Sequence, residues 1–166
     1  METITIEVKP YMAAYLYVRY GQCVESFGYD CPLPQPIRLP HGGKLYRTLY
    51  EETLPQPGRL RKENGNVTFV LPHPHAGKNP ATYNYLGHKG VAELQTAIRH
   101  QIKMELFDFL VEQKYNEGNT YKYSLHEFMQ KYGMEDLLSE ESMLRLFYEW
   151  RRKQKSMKVY EESAKW

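Results

Sequence analysis

The chain has 166 residues, 42% of them hydrophobic and 25% charged, with a formal net charge of +2. That length supports one domain, or two small ones, with a sizeable core. Abundant apolar and aromatic residues at so low a net charge exclude a disordered chain, and no run of about 18 apolar residues offers a membrane-crossing helix. Tyrosine is the departure from ordinary composition: 15 copies, seven of them in the first 50 residues.

Residues 1–8 alternate polar and apolar side chains instead of placing an apolar run after a charged start, so no secretory leader is expected. Ile4, Ile6 and Val8 fall on one side of this alternation, the period of a half-buried strand. Pro10 suits the first position of a helix and Gly21 its end. Between them Tyr11, Tyr15 and Val18 share one face and Met12, Leu16 and Tyr20 a neighbouring one. A helix apolar nearly all round should be buried or line an interface. Pro32, Pro34, Pro36 and Pro40 make residues 22–41 irregular, with a short edge strand expected over residues 37–39. A short helix follows over residues 44–53, with Leu45, Leu49 and Tyr50 on one face. Asn64-Gly65 is a strong turn signal, predicting a hairpin over residues 60–71. Pro72, Pro74, Gly77 and Pro80 then mark a loop.

Beyond residue 87 the period changes. Val91, Leu94, Ile98, Ile102, Leu106, Phe109 and Leu110 recur at three- and four-residue steps, predicting a long helix over about residues 89–115 closed by Gly118. Ser124 and Glu127 read as a capping box, with Tyr123 and Phe128 as the hydrophobic staple. Gly133 ends that helix, and Asp136 or Ser139 starts the last one, in which Met143, Leu144, Phe147 and Trp150 face inward. Residues 156–166 are read as a polar, loosely ordered tail. The fold class is α+β: a small, mostly antiparallel sheet with one or two short helices, then a helical half made of the long helix and an αα-hairpin resembling a helix-turn-helix. The expected division is residues 1–87 and 88–166, sharing one core.

Chemistry is thinly signalled. Cys23 and Cys31 show no framework spacing, which points to a reducing cytoplasm, although a bridge between them is open. His41, His73 and His75 with these cysteines could meet a zinc ion only through tertiary folding. Gly77-Lys78 lacks the upstream glycine and the following Ser or Thr of a P-loop, and Gly42-Gly43 is either an anion-binding turn or simply a tight one. No nucleophile–base signature stands in the chain. No enzymatic activity, cofactor or metal is therefore expected.

Binding is better signalled. Residues 145–158 hold six basic residues and one acid, Glu149. Arg145, Tyr148, Arg151, Arg152, Lys153, Lys155 and Lys158 are the first candidate nucleic-acid contacts. Glu140 and Glu141 at the start of the same helix would repel phosphate, which favours backbone contact over base reading. A second candidate patch joins Tyr46, Arg47 and Tyr50 to Arg59, Arg61 and Lys62, where aromatic rings beside cations could stack on bases. Tyr46, Tyr50, Tyr83, Tyr85 and Tyr148 are the tyrosines without an evident packing role. Abundant tyrosine and the apolar helix over residues 10–20 equally suit a protein–protein module or homo-oligomer.

Lys9-Pro10-Tyr11, Arg19-Tyr20-Gly21, the stretch from Asn79-Pro80 to Tyr85-Leu86, Phe128-Met129 with Lys131-Tyr132-Gly133, and residues 147–152 carry a further reading. Through them the chain resembles small uncharacterised proteins of bacterial phages and mobile elements. The resemblance implies an accessory or regulatory role near DNA in a bacterial cytoplasm.

Overall fold

A computed structural model describes residues 2–21, 36–58, 64–72 and 77–163, with side chains as far as Lys155. The described residues form an α+β fold with a helical C-terminal half: five α-helices and two small antiparallel sheets. None of these helices is long and apolar enough to cross a membrane. The chain divides into two compact units, residues 1–103 and 104–166.

In the first unit, β1 (Thr3–Ile6) pairs antiparallel with β3 (Val67–Val70). Ile4, Ile6 and Val8 are buried, as their alternation requires. The expected hairpin is replaced by this long-range pairing. Both edges of β3 are occupied, one by β1 and the other by a parallel bridge from Ile37 to Phe69, and the limb at residues 59–63 lies outside the described residues. Asn64-Gly65 serves a different junction. Asn66 donates Nδ2–H to the Val8 carbonyl at 2.8 Å and accepts from the Val8 N–H at 2.9 Å, so its side chain prolongs the ladder. On the far edge, Ile37 donates to Thr68 O and accepts from Val70 N–H, and the Thr68 N–H donates to the Tyr17 hydroxyl at 3.2 Å. A phenol thus fills a slot that one isolated bridge leaves open.

Helix α1 (Pro10–Tyr20) begins at proline and buries Met12, Ala13, Tyr15 and Leu16. Contrary to the all-round apolar reading, Val18 is exposed, because only the side holding those four residues meets the core. The Gln101 amide donates to the hydroxyls of both Tyr15 and Tyr20, so one amide meets the polar ends of a fully buried ring and a half-buried one. Helix α2 (Lys44–Glu52) buries Leu45 and Leu49. It runs directly into β2 (Thr53–Leu54), which pairs with β4 (Tyr85–Leu86).

Helix α3 (His88–Glu112) contains the division between the units. Leu94, Ile98 and Ile102 are buried in the first unit, and Leu106 and Leu110 in the second. Phe107, outside the expected stripe, is buried as well, whereas Val91 and Phe109 are only half-buried. A wide π turn, Gln113–Glu117, ends at Gly118, whose φ of 69° suits glycine.

Helix α4 (Tyr121–Lys131) starts one turn earlier than the capping-box reading places it. Thr120 is the N-cap, accepting from Tyr123 N–H. Ser124 shares the inward stripe of Leu125 and Phe128 and is fully buried, while Tyr123 is exposed. Glu127 instead hydrogen-bonds the Tyr123 hydroxyl, which holds that phenol above its ordinary value. At the far end Gly133 (φ 65°) lets Met134 N–H reach Met129 O, the 6→1 bond of a Schellman cap. Helix α5 (Glu140–Ser163) follows Ser139, whose hydroxyl accepts from Ser142 N–H. It extends beyond the expected end, and its backbone stays helical through most of the region read as a tail.

Helices α4 and α5 pack on each other, and residues 132–139 connect them. That link is longer than the three- or four-residue turn of a helix-turn-helix, so the pair is two packed helices without the turn of that motif. His126 Nδ1 and Glu140 Oε1 lie 2.8 Å apart across it. The hydrogen bond to Glu140 holds the His126 imidazolium above its ordinary pKa against some desolvation, aided by the charges of Glu140, Glu135 and Glu127. A raised folded-state pKa contributes stability fully below the ordinary histidine value near 6.5 and loses it as pH rises through the folded value. Thermal midpoints should therefore fall more between pH 5.5 and pH 8 for the native chain than for His126→Gln. Parallel pH profiles would remove this role from His126.

Candidate nucleic-acid interface

Helix α5 turns one face inward and the opposite face to solvent. Met143 and Phe147 are buried, with Trp150 half-buried beside them. Phe147 is the centre of an aromatic cluster, its ring centroid 5.5 Å from Phe107, 4.8 Å from Tyr121 and 6.0 Å from Trp150. Steps of three, four and three residues carry the chain from Arg145 to Tyr148, Arg152 and Lys155, all exposed. At 3.6 residues per turn these four form one stripe, about 15 Å long, facing away from the core.

The stripe's members differ in their neighbours. Arg145 lies 3.5 Å from Glu149 one turn on, an exposed pair that water screens. The Tyr148 ring meets Tyr121 edge-on at 6.2 Å and Phe147 at 5.8 Å, so cluster contacts hold an exposed ring in place. Arg151 sits just off the stripe. It is half-buried with its guanidinium 5.2 Å from the Tyr121 ring centre, which commits it to an intramolecular cation–π contact. Lys153 is exposed on a different side of the helix, and the Lys158 side chain lies outside the described residues. Of the seven candidates, then, Arg145, Tyr148, Arg152 and Lys155 share one surface. Glu140, at the acidic start of the helix, is engaged by His126.

The second candidate patch has a different fate. Tyr46 is half-buried, with the His41 ring 4.5 Å away. Arg47 is exposed, and Arg59, Arg61 and Lys62 lie outside the described residues. Tyr50 faces Lys78. The Lys78 ammonium donates to the carbonyls of Tyr50, Glu51 and Thr53 at 2.8, 3.0 and 3.1 Å. It also lies 5.1 Å from the Tyr50 ring centre and 5.7 Å from that of Tyr83. The Tyr50 and Glu51 carbonyls belong to the last turn of α2, which leaves them without intrahelical donors, and a cation there also complements the macrodipole. Gly77-Lys78, weighed above as a nucleotide loop, closes α2 instead. This accounts for Tyr50 and Tyr83 among the five unassigned tyrosines. Lys78→Met should lower stability by about 2 kcal/mol, the scale of hydrogen bonds to a charged group, while Lys44→Met at the exposed start of the same helix should change little. Equal denaturation midpoints for the two variants would refute the capping role.

Cys23, Cys31, His73 and His75 lie outside the described residues. Among the described residues no group of three or more potential metal ligands converges. No protein-family model matches the chain, and neither a curated protein nor a solved structure shows significant similarity to it.

Proposed function

We propose that the protein is a non-enzymatic, nucleic-acid-associated accessory factor that holds the phosphate backbone along the outer face of α5. The observation that carries this reading is the exposed stripe Arg145, Tyr148, Arg152 and Lys155, three cations and one ring on a single helix face. Three cations provide counterion release without base reading. The buttressed Tyr148 ring offers a stacking surface to an unpaired base. The acidic first turn of α5 and the long connection before it argue against a recognition helix entering the major groove. The resemblance to phage and mobile-element proteins agrees with a role beside DNA in a bacterial cell.

Fluorescence anisotropy with labelled single-stranded and duplex DNA at 50 and 200 mM salt tests the proposal. Three phosphate contacts predict a slope of log affinity against log salt near −2.7 on duplex. The triple variant Arg145→Glu, Arg152→Glu, Lys155→Glu should bind at least tenfold more weakly to both DNAs. Tyr148→Ala should weaken single-stranded binding and leave duplex binding nearly unchanged. No binding by the native chain at tens of micromolar in low salt, or a triple variant that binds as well, would overturn the reading.

A further inference from the structure

The first unit contains a cleft of about 390 Å³ that the helical face of α5 does not involve. One wall is made by four successive residues of β1 and its end, Ile4, Thr5, Ile6 and Glu7. Side chains in a strand alternate between faces, so a wall of four successive residues is the strand's edge. The hydrogen-bond register shows which main-chain groups point there. Thr68 O and Val70 N–H bond Ile37 and Thr68 N–H bonds Tyr17, which leaves Val67, Phe69 and Leu71 facing β1, and Leu71 N–H indeed donates to Glu2 O. Their partners Ile4 and Ile6 therefore spend their main-chain groups on β3, while Thr3, Thr5 and Glu7 turn theirs outward. Gln95 Nε2 donates to the outward Glu7 carbonyl at 3.0 Å. The Thr5 N–H and C=O meet no such partner among the described residues.

The rest of the cleft suits an added strand. Val91 and Ala92 of α3 and Leu86 of β4 contribute apolar surface. Asn84 also lines it, and its Oδ1 is buried with no donor among the described residues. Glu7, Tyr85 and His88 are the ionisable side chains on the lining among the described residues, and Glu7, exposed at one end, is the acid among them. From this edge, register and lining we infer that the cleft is a docking site for an extended peptide segment of a partner protein, which pairs with the outer edge of β1. The segment carries an apolar residue toward Leu86 and Val91 and a basic residue beside Glu7. Main-chain pairing with Thr5 supplies the affinity and the alternate side chains the selectivity, as in other strand-addition sites. A trough walled by β4 and α3 accepts one extended chain more readily than the edge of a second folded sheet.

Selection of random heptapeptides against the full chain, followed by titration of the synthetic winners, tests this inference. The expected result is peptides with alternating apolar residues and a Lys or Arg. They should lose at least tenfold in affinity when one central amide is N-methylated. The variant Ala92→Trp, at an exposed helix position on the cleft floor, should weaken them equally while keeping the native thermal midpoint. Amide exchange at Thr5 should slow on binding. Winners that tolerate both N-methylation and Ala92→Trp, or a selection with no winner tighter than about 100 μM, would overturn the proposal. So would a concentration-dependent dimer in sedimentation that Ala92→Trp dissociates, since that result assigns the edge to a second copy.

Discussion

Phe147→Ala is expected to destabilise the second unit by about 4 kcal/mol, the upper part of the range for emptying a well-packed aromatic site. The residue is fully buried. Phe107, Tyr121, Tyr148 and Trp150 surround its ring, with centroids between 4.8 and 6.0 Å away. These rings come from three different helices and cannot all move inward at once to refill the space. Trp150 is a neighbour of the cavity, so its fluorescence reports the transition directly. Phe147→Leu keeps part of the volume and should cost about half as much. A loss below about 1 kcal/mol for the alanine variant would mean that the cluster does not hold this unit together. Because Phe147 also buttresses Tyr148, the alanine variant should weaken single-stranded DNA binding even under conditions where it remains folded.

Gly65→Ala is expected to cost about 3 kcal/mol, a large effect for one added methyl. A Cβ at this position would fall on the carbonyl carbon and oxygen of Ile6 and the amide nitrogen of Glu7. These are backbone atoms and cannot rotate away as a flexible side chain can. Relief requires the junction between β1 and β3 to move, and there Asn66 holds Val8 through both its amide atoms. The magnitude is that of overpacking in a closed site. Gly58→Ala supplies the control, since nothing stands within 4 Å of a Cβ there. Indistinguishable thermal midpoints for the two variants would show that the close approach at Gly65 is not a constraint on folding.

Both sites illustrate what the sequence could disclose. The inward stripe of α3 was legible because Leu94, Ile98, Ile102, Leu106 and Leu110 repeat the helical period over many turns, and burial enforces that period. Gly118 and Gly133 were legible as helix ends because a left-handed residue after a helix favours glycine strongly. The pairing of β3 was not. Asn64-Gly65 is a local turn signal, whereas the choice of β1 over an adjacent limb depends on burying Phe69 and Val67 among residues far away in the chain. Thr120 and Ser124 both offer a capping hydroxyl, and only the inward facing of Ser124 with Phe128 decides between them. Strands β2 and β4 hold two residues each, too few to show any period.

The candidate site was half legible. Composition located the cations of α5, and helical spacing then separates Arg145, Arg152 and Lys155 from Arg151, whose partner Tyr121 is thirty residues away. Lys78 had no local signal at all. Its role arises from three carbonyls about twenty-five residues upstream, and its neighbouring glycine suggested a phosphate loop instead. The tyrosine excess resolves along the same line. Tyr15, Tyr17 and Tyr20 offer hydroxyls to the Gln101 amide and the Thr68 N–H, Tyr50 and Tyr83 flank a cation, and Tyr148 is held open to solvent.

The hydroxyl of Tyr17 on Thr68 has a consequence for assembly. Growth of a β-ladder from chain to chain needs two receptive edges on every copy, one to add to and one to be added to. In this sheet Ile37 and the Tyr17 phenol together finish the β3 side, leaving β1 as the receptive edge among the described residues. Among the described residues, association through the sheet is therefore expected to stop at a single added strand on β1, and one phenolic oxygen helps to set that limit.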